Sequence, residues 1–295
     1  MAQKVVITSA ARTPIGAFQG ALSPLSATQL GSRAIAEAIS RAGLQPDQMD
    51  EVLMGNVLSA GLGQAPARQA ALGAGLPDRV PCTTINKVCG SGLKAVMLGA
   101  QAIALGDAGV VVAGGMESMT NAPYLLERAR SGYRLGHGTL IDSIIKDGLW
   151  DVYNNFHMGS AAEQCAEEYH LSREEMDDFA LESYRRAQAA QQRGEFKREM
   201  IPIEIAGRKG PTIFSEDEEP KRVDFDTFRK LKPAFEKEGR ITAGNASSLS
   251  DGAAAVVLTS VIIASPSFLK NSPAATTFTK RWLWSRKTSY EQLIK

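Results

Sequence analysis

Asn86-Lys87-Val88-Cys89-Gly90-Ser91-Gly92-Leu93-Lys94-Ala95-Val96-Met97 is the stretch from which the rest of the chain can be read. A short strand over Thr83 to Asn86 leads to a cysteine, and a nearly uncharged helix over Leu93 to Leu105 follows it. A cysteine opening a helix faces unpaired N–H groups and a partial positive charge, which favour a thiolate. Gly90, Ser91 and Gly92 crowd it with small residues that let a bulky carbonyl compound approach. A buried packing cysteine at a core helix would look the same, because free cysteine is among the most buried residue types. The segment alone leaves nucleophile and packing residue both open.

Outward from this stretch the chain alternates strands and helices. Val5 to Ala10 reads as a buried strand, and Ser26-Ala-Thr-Gln29 is a capping box. Leu30, Ala34, Ile35, Ala38 and Ile39 then recur at helical spacing, and Gly43 supplies the stop. Glu51 to Val57 is a second strand, Ala65 to Leu72 a helix, and Ala108 to Ala113 a strand ended by Gly114-Gly115. Such alternation predicts a mostly parallel sheet covered by helices. The helix after Cys89 is apolar all round, broken only by Lys94 and Gln101, so it should lie between two layers. One is the sheet; the second is not evident in this chain.

From Glu117 the pattern becomes loop-rich and polar. Ser172-Arg-Glu-Glu175 caps a helix reaching about Gln192, with Met176, Phe179, Ala180 and Tyr184 on one face. Residues 209–240 are charged and irregular, and the Lys/Arg cluster from 221 to 240 would be a solvated face more often than a phosphate site. Ala253 to Thr259 is again strand-like and should rejoin the first sheet. The expected divisions are 1–118 as an N-terminal α/β domain, 119–249 as an inserted loop domain, 250–260 as the returning strand, and 261–295 as a tail. In that tail six basic residues face Glu291 alone, and no glycine occurs. Its irregular pattern predicts weak order from about Ser265 to Lys295.

The 295 residues carry three cysteines, Cys82, Cys89 and Cys165, at no metal-ligand spacing, which predicts no metal and a reducing compartment, most simply the cytoplasm. No basic segment with an apolar core opens the chain, and no apolar run approaches the ~18 residues of a membrane helix. A net charge of +1 argues against a dedicated nucleic-acid binder. Gly90-Ser-Gly92 lacks the third glycine and the distal acid of a dinucleotide loop.

Seven separated motifs together resemble the thiolases, most closely the acetyl-CoA C-acetyltransferase branch. They are Ser9-Ala-Ala-Arg12-Thr-Pro-Ile-Gly16, Asn86 to Ala95, Gly114-Gly-Met-Glu117-Ser-Met-Thr-Asn-Ala-Pro-Tyr124, Asp147-Gly-Leu149, His157-Met158-Gly159, Lys232-Pro-Ala234-Phe235 and Thr242-Ala-Gly-Asn-Ala-Ser247. Asp251-Gly-Ala-Ala-Ala-Val follows. The resemblance covers about residues 1–260. It implies an α/β fold: a mixed sheet with helices on both faces and an inserted loop domain. It implies acyl transfer, two acetyl-CoA giving acetoacetyl-CoA and CoA and the reverse, with Cys89 as the acylated nucleophile. It places Leu149, His157, Met158, Ala234, Phe235, Ala243, Ser247 and Leu249 along a coenzyme A tunnel, with Arg222 near the nucleotide end. It implies coenzyme A thioesters as substrates with no further cofactor, and a homodimer or homotetramer, residues 121–138 resembling the loop that ties two tight dimers into a tetramer. A 3-ketoacyl synthase-type condensing enzyme also uses a cysteine at a helix start, but Gly-Met-Glu-Ser-Met and His-Met-Gly favour the thiolase reading.

Two departures stand out. Ser248-Leu249-Ser250 replaces the Gly then Ile/Leu-Asn that commonly follows Asn-Ala-Ser. The family's second domain, with its Asn-Glu-Ala-Phe, Gly-His-Pro and Cys-x-Gly-x-Gly segments, has no counterpart in this sequence. His137 and His170 sit in no paired motif, so a chain with half the catalytic apparatus, inactive alone or acting as a non-catalytic subunit, is the expectation.

Overall fold

The computed structural model describes residues 3–207 and 210–261. In chain order the elements are β1 (Val5–Arg12), β2 (Gly16–Ala17), α1 (Ala27–Arg41), β3 (Glu51–Gly55), α2 (Pro66–Gly73), β4 (Cys82–Ile85), α3 (Ser91–Leu105) and β5 (Val110–Ser118). The hairpins β6 (Tyr124–Leu126) with β7 (Leu140–Asp142) and β8 (Trp150–Asp151) with β9 (Phe156–His157) follow. Then come α4 (Met158–Glu168), α5 (Arg173–Gln192), the hairpin β10 (Ile203–Ile205) with β11 (Thr212–Phe214), the short α6 (Glu219–Arg222) and β12 (Ser250–Ser260).

The main sheet runs β1-β12-β5-β3-β4, with β2 on the end of β12. It is mixed rather than mostly parallel. Only the β3 pairs with β4 and β5 are parallel; β12 runs antiparallel to both β1 and β5. The reason is that the last strand returns through the middle of the sheet after the long excursion, a placement the alternation of elements does not encode. Alternate residues separate the two faces. Val52, Met54, Val110, Val112, Ala255 and Val257 pack toward α1 and α2. Leu53, Val111, Ala113 and Leu258 pack toward Ala95 and Ile103 of α3.

The α1 helix forms as its sequence dictates. The Ser26 and Gln29 side chains cap it reciprocally, its apolar stripe is buried, and Gly43 leaves it at φ 69°. Gly114-Gly115 does not end its strand: the pairing with β3 stops at Gly115, but β5 continues to Ser118 along β12. The glycines mark crowding instead, since a Cβ on Gly114 would overlap the Ala254 backbone.

The α3 helix is buried on one face only, through Ser91, Ala95, Gly99 and Ile103. Leu93, Met97 and Leu105 remain 69%, 48% and 77% exposed, so no second layer covers it among the described residues. In α5, Leu181 and the carboxylate of Asp177 turn inward while Phe179 points outward, 81% exposed, against the expected face. The charged stretch is also less solvated than its composition implies. Asp217 is buried and accepts two hydrogen bonds from the Arg12 guanidinium, 2.8 and 3.0 Å, and one from Ile15 N. Glu218 accepts from Ala17 N and Ala21 N. Arg12 also pairs with Glu199. Burial alone would lower the Arg12 pKa, but the hydrogen bonds to Asp217 and Glu199 outweigh it and leave the pKa raised. The predicted weak order of the tail falls on residues outside those described.

The exposed α3 face generates an expectation. Covering three such side chains is worth roughly 5–9 kcal/mol at ~1.5–3 each, and an apolar patch of this kind drives association. The chain should self-associate with rising concentration in light scattering. Leu93→Lys with Met97→Lys should suppress this, whereas Leu135→Lys, on a distant exposed loop, should not. Equal behaviour of the two variants would place the association elsewhere.

Candidate active site

Cys89 does not open α3 itself. It stands one residue before the N-cap Gly90, at φ 60°, the left-handed region that non-glycine residues rarely occupy. A tight turn puts it there: Gly90 N donates to Lys87 O at 2.7 Å, and Lys87 N donates to Ser91 Oγ at 3.0 Å. The turn sits beyond the carboxyl ends of β3 and β4, the usual place for a site in an open α/β sheet. Gly55 makes this possible, because a Cβ there would lie 2.5 Å from Gly92 N and 2.6 Å from Ser91 Cβ. Cys89 is exposed and faces a cavity of about 430 Å³. Arg12, Asn56, Val57, Glu117 and Asp251 are among the residues that share its lining.

Glu117 is the unassigned residue of this cavity. It forms part of a quoted motif, yet neither composition nor spacing gives it a role. Its carboxylate accepts from Val57 N at 2.8 Å, Leu58 N at 3.3 Å and Asn56 Nδ2 at 2.7 Å. Asn56 Nδ2 also donates to Met116 O, and Asn86 Nδ2 reaches Val57 O at 3.5 Å. Glu117 thus braces the loop after β3 against the segment that leads into Cys89. Burial pushes its carboxyl above the ordinary range; the hydrogen bonds offset part of this, and the charge of Asp251 adds to it. Asp251 is fully buried, accepts from Thr120 N at 3.0 Å through Oδ1, and among the described residues has no partner at Oδ2. Among the described residues no histidine lines the cavity.

The other candidates gather on the inserted region. His157 is the N-cap of α4, and its Nδ1 accepts from Gly159 N at 2.9 Å. In the neutral ring this leaves Nε2 as the donor. The ring stacks on Phe235, with centroids 4.9 Å apart and 22° between planes. Gly159 lets Phe235 approach, since a Cβ there would strike the ring. Met158, 39% exposed, follows on the first turn of α4. Ala234 N donates to Ile241 O, and Pro233 bridges Thr242, so Ala234, Phe235 and Ala243 share one exposed hairpin. Leu149 is half-buried just before β8, whose Trp150 pairs with His157. Ser247 is exposed and Leu249 half-buried at the entry to β12, where Leu249 O accepts from Phe18 N. Arg222 is exposed, 3.8 Å from Glu219. Of these residues Cys89 alone lines the cavity described above; the His157–Phe235 face is a second locus.

An exposed cysteine thus stands on the turn between β4 and α3 of a mixed sheet, with β12 returning through its middle. The family model for the thiolase N-terminal domain matches residues 5–261, and the chain belongs to the thiolase family. It is 58% identical over 259 residues to acetyl-CoA acetyltransferase 2 of Arabidopsis thaliana and 55% identical over 260 to acetyl-CoA acetyltransferase of Pseudomonas aeruginosa. Those alignments take in 87% and 88% of this chain. The chain spans 64% and 66% of the length of these relatives. The crystal structure of Acat5 thiolase from Ascaris suum in complex with coenzyme A superimposes with a TM-score of 0.83 at 43% identity, over 89% of this chain and 67% of that one. No helix among the described residues is long and apolar enough to cross a membrane.

A raised pKa in the folded state means that the fold penalises the charged form of Glu117. Its contribution is full below the ordinary value of 4.5 and is lost as pH rises through the higher folded value. The wild-type chain should therefore lose stability relative to Glu117→Gln as pH rises from about 4 to about 7, read from denaturant midpoints. A difference that stays flat or grows in favour of the wild type would contradict this assignment.

Proposed function

We propose that this chain carries the nucleophile and one substrate wall of an acetyl-CoA C-acetyltransferase. In the first half-reaction the Cys89 thiolate attacks the carbonyl carbon of acetyl-CoA. The carbon–sulfur bond to coenzyme A breaks, CoA leaves as its thiolate and takes up a proton, and acetyl-Cys89 remains. In the second, a base removes a proton from the methyl of another acetyl-CoA. The resulting carbanion attacks the acyl carbon and expels Cys89 as thiolate, giving acetoacetyl-CoA. Thiolysis is the same sequence reversed. The observation that carries this reading is the position of Cys89, held at positive φ before α3 and open to a cavity. The relatives' names support the choice of acyl group.

We assign the His157–Phe235 stack, Met158, Ala234, Ala243, Ser247, Leu249 and Leu149 to the wall that takes a pantetheine arm, the stack being the part of it that is in contact. Arg222 is free enough of Glu219 to meet a phosphate. No cofactor beyond the thioester substrates and no metal is needed. A homodimer or homotetramer, and the cytoplasm, remain part of the proposal.

This chain alone should turn over poorly. Among the described residues the cavity offers no histidine, Arg12 is committed to Asp217 and Glu199, and Glu117 to the loop it braces. A missing general base costs ~10²–10⁴ in rate, and a missing oxyanion donor ~10²–10³. Because such effects do not simply multiply, the expected deficit in acetoacetyl-CoA thiolysis is at least about 10⁴. These features equally favour a non-catalytic subunit that pairs with complete enzymes.

Both halves of the reading are testable on one preparation. Iodoacetamide should label Cys89, with the half-buried Cys82 slowest because burial raises its thiol pKa. Thiolysis within tenfold of a complete thiolase, lost in Cys89→Ala, would sink the claim of low activity. Failure of Cys89 to react would sink the nucleophile.

A further inference from the structure

Glu163 is an acid that none of the site assignments uses. It lies in α4, six residues after His157, and is only 7% exposed. Among the described residues no lysine or arginine side chain pairs with it. Its carboxylate instead accepts main-chain hydrogen bonds: Arg240 N at 2.8 Å to both oxygens and Ile241 N at 2.7 Å to Oε1. A buried carboxylate paid out to two backbone N–H groups is a strong local anchor, because charge-assisted bonds are about twice as strong as neutral ones.

These bonds close a ring of contacts. His157 caps α4, and α4 carries Glu163. Glu163 holds Arg240 N and Ile241 N; Ile241 O in turn receives Ala234 N, and the next residue, Phe235, stacks back on the His157 ring. Arg240 also pairs through its guanidinium with Glu167, one turn further along the same helix. A second acid, Asp177 of α5, holds the far side of the segment by accepting from Asn245 Nδ2 at 2.9 Å, while Asn245 Oδ1 accepts from Thr242 N. Phe235 has no buried pocket of its own to retain it, being 38% exposed.

We propose that Glu163 is a positioning residue, whose buried carboxylate fixes the 233–242 hairpin so that Phe235 stacks on His157 and completes the wall against which a coenzyme A thioester lies. The role of that wall rests on the function proposed above; the stack itself does not.

The chain has three histidines, so proton–carbon spectra of the ring Hε1 groups give a local readout with two internal controls, His137 and His170. His157→Gln assigns the resonance, and Phe235→Leu gives its position without the stack. In Glu163→Gln the charge is lost and a single oxygen is left to accept from Arg240 N and Ile241 N, with the NH₂ opposing Arg240 N in place of the other, so the His157 resonance should move toward the Phe235→Leu position while the other two stay. Gly239→Ala provides a second route, because a Cβ there would press on Glu163 Oε1 without removing its charge; the same shift is expected. Coenzyme A titrated into each protein should bind the Glu163→Gln and Gly239→Ala chains at least about tenfold more weakly than wild type. An unmoved His157 resonance in both variants would overturn the proposal, as would all three histidines shifting together, which marks a general scaffold residue. A wild-type chain that shows the stack but ignores coenzyme A would instead sink the thioester reading and leave the role of Glu163 in the stack standing.

Discussion

The first turn of α3 rests on bare backbone. Gly92 lies over the adjoining ends of β3 and β5, where a Cβ on Gly55 would meet it at 2.5 Å and one on Gly115 at 3.3 Å. Side chains at either position would lift the helix off the sheet and carry Cys89 away from its cavity. The positive φ at Cys89 follows from the same closeness, because β4 ends at Ile85 and the helix must begin by Ser91. A left-handed residue shortens the path, at a cost of order 1–3 kcal/mol that the surrounding hydrogen bonds must offset. Glu117 lies on the strand that supplies Gly115, and its carboxylate secures the loop that leaves Gly55.

A comparable economy joins the inserted region to the sheet. Arg12, at the end of β1, reaches Asp217 and Glu199, while Arg41 of α1 donates to the carbonyls of Arg198 and Met200. Exposed ion pairs would contribute little, but Asp217 is buried and its carboxylate is satisfied by a guanidinium and a main-chain N–H. Loss of either partner would leave a buried charge uncompensated, which is the costly case. The contacts therefore hold the long excursion to the edge strand β1 and to α1, rather than leaving a tethered appendage.

What could be read in advance divides along the range of the interactions. Capping at Ser26 and Ser172, the apolar period of α1 and the strand before Cys89 depend on neighbours a few residues away, and the structure has them as expected. The central, antiparallel position of β12 depends on a partner more than a hundred residues distant, and periodicity carries no trace of it. Gly114-Gly115 misled for a related reason: glycine signals either a stop or a close approach, and only the neighbouring strand decides which. Phe179 looked like core because its spacing fits; the inward place on that turn goes to Asp177, which finds Arg173 and Asn245 as partners. The family motifs supplied Cys89 and the candidate wall residues. Burial and bonding were needed to single out Glu117 and Glu163, which look like ordinary surface acids in the sequence.

Cys89 and the candidate wall are built on different parts of the chain, yet the connection between the Cys89 cavity and that wall is short. Thr242 to Ser247 belongs to the wall, held by Asp177 through Asn245, and Ser250 and Asp251 line the Cys89 cavity. Only Ser248 and Leu249 separate Ser247 from Ser250. Leu249 is pinned where it passes, by the bond from Phe18 N to its carbonyl, and Asp251 is fixed by β2 on one side and Thr120 N on the other. The stretch that joins the two is therefore held at fixed points and is not a loose linker.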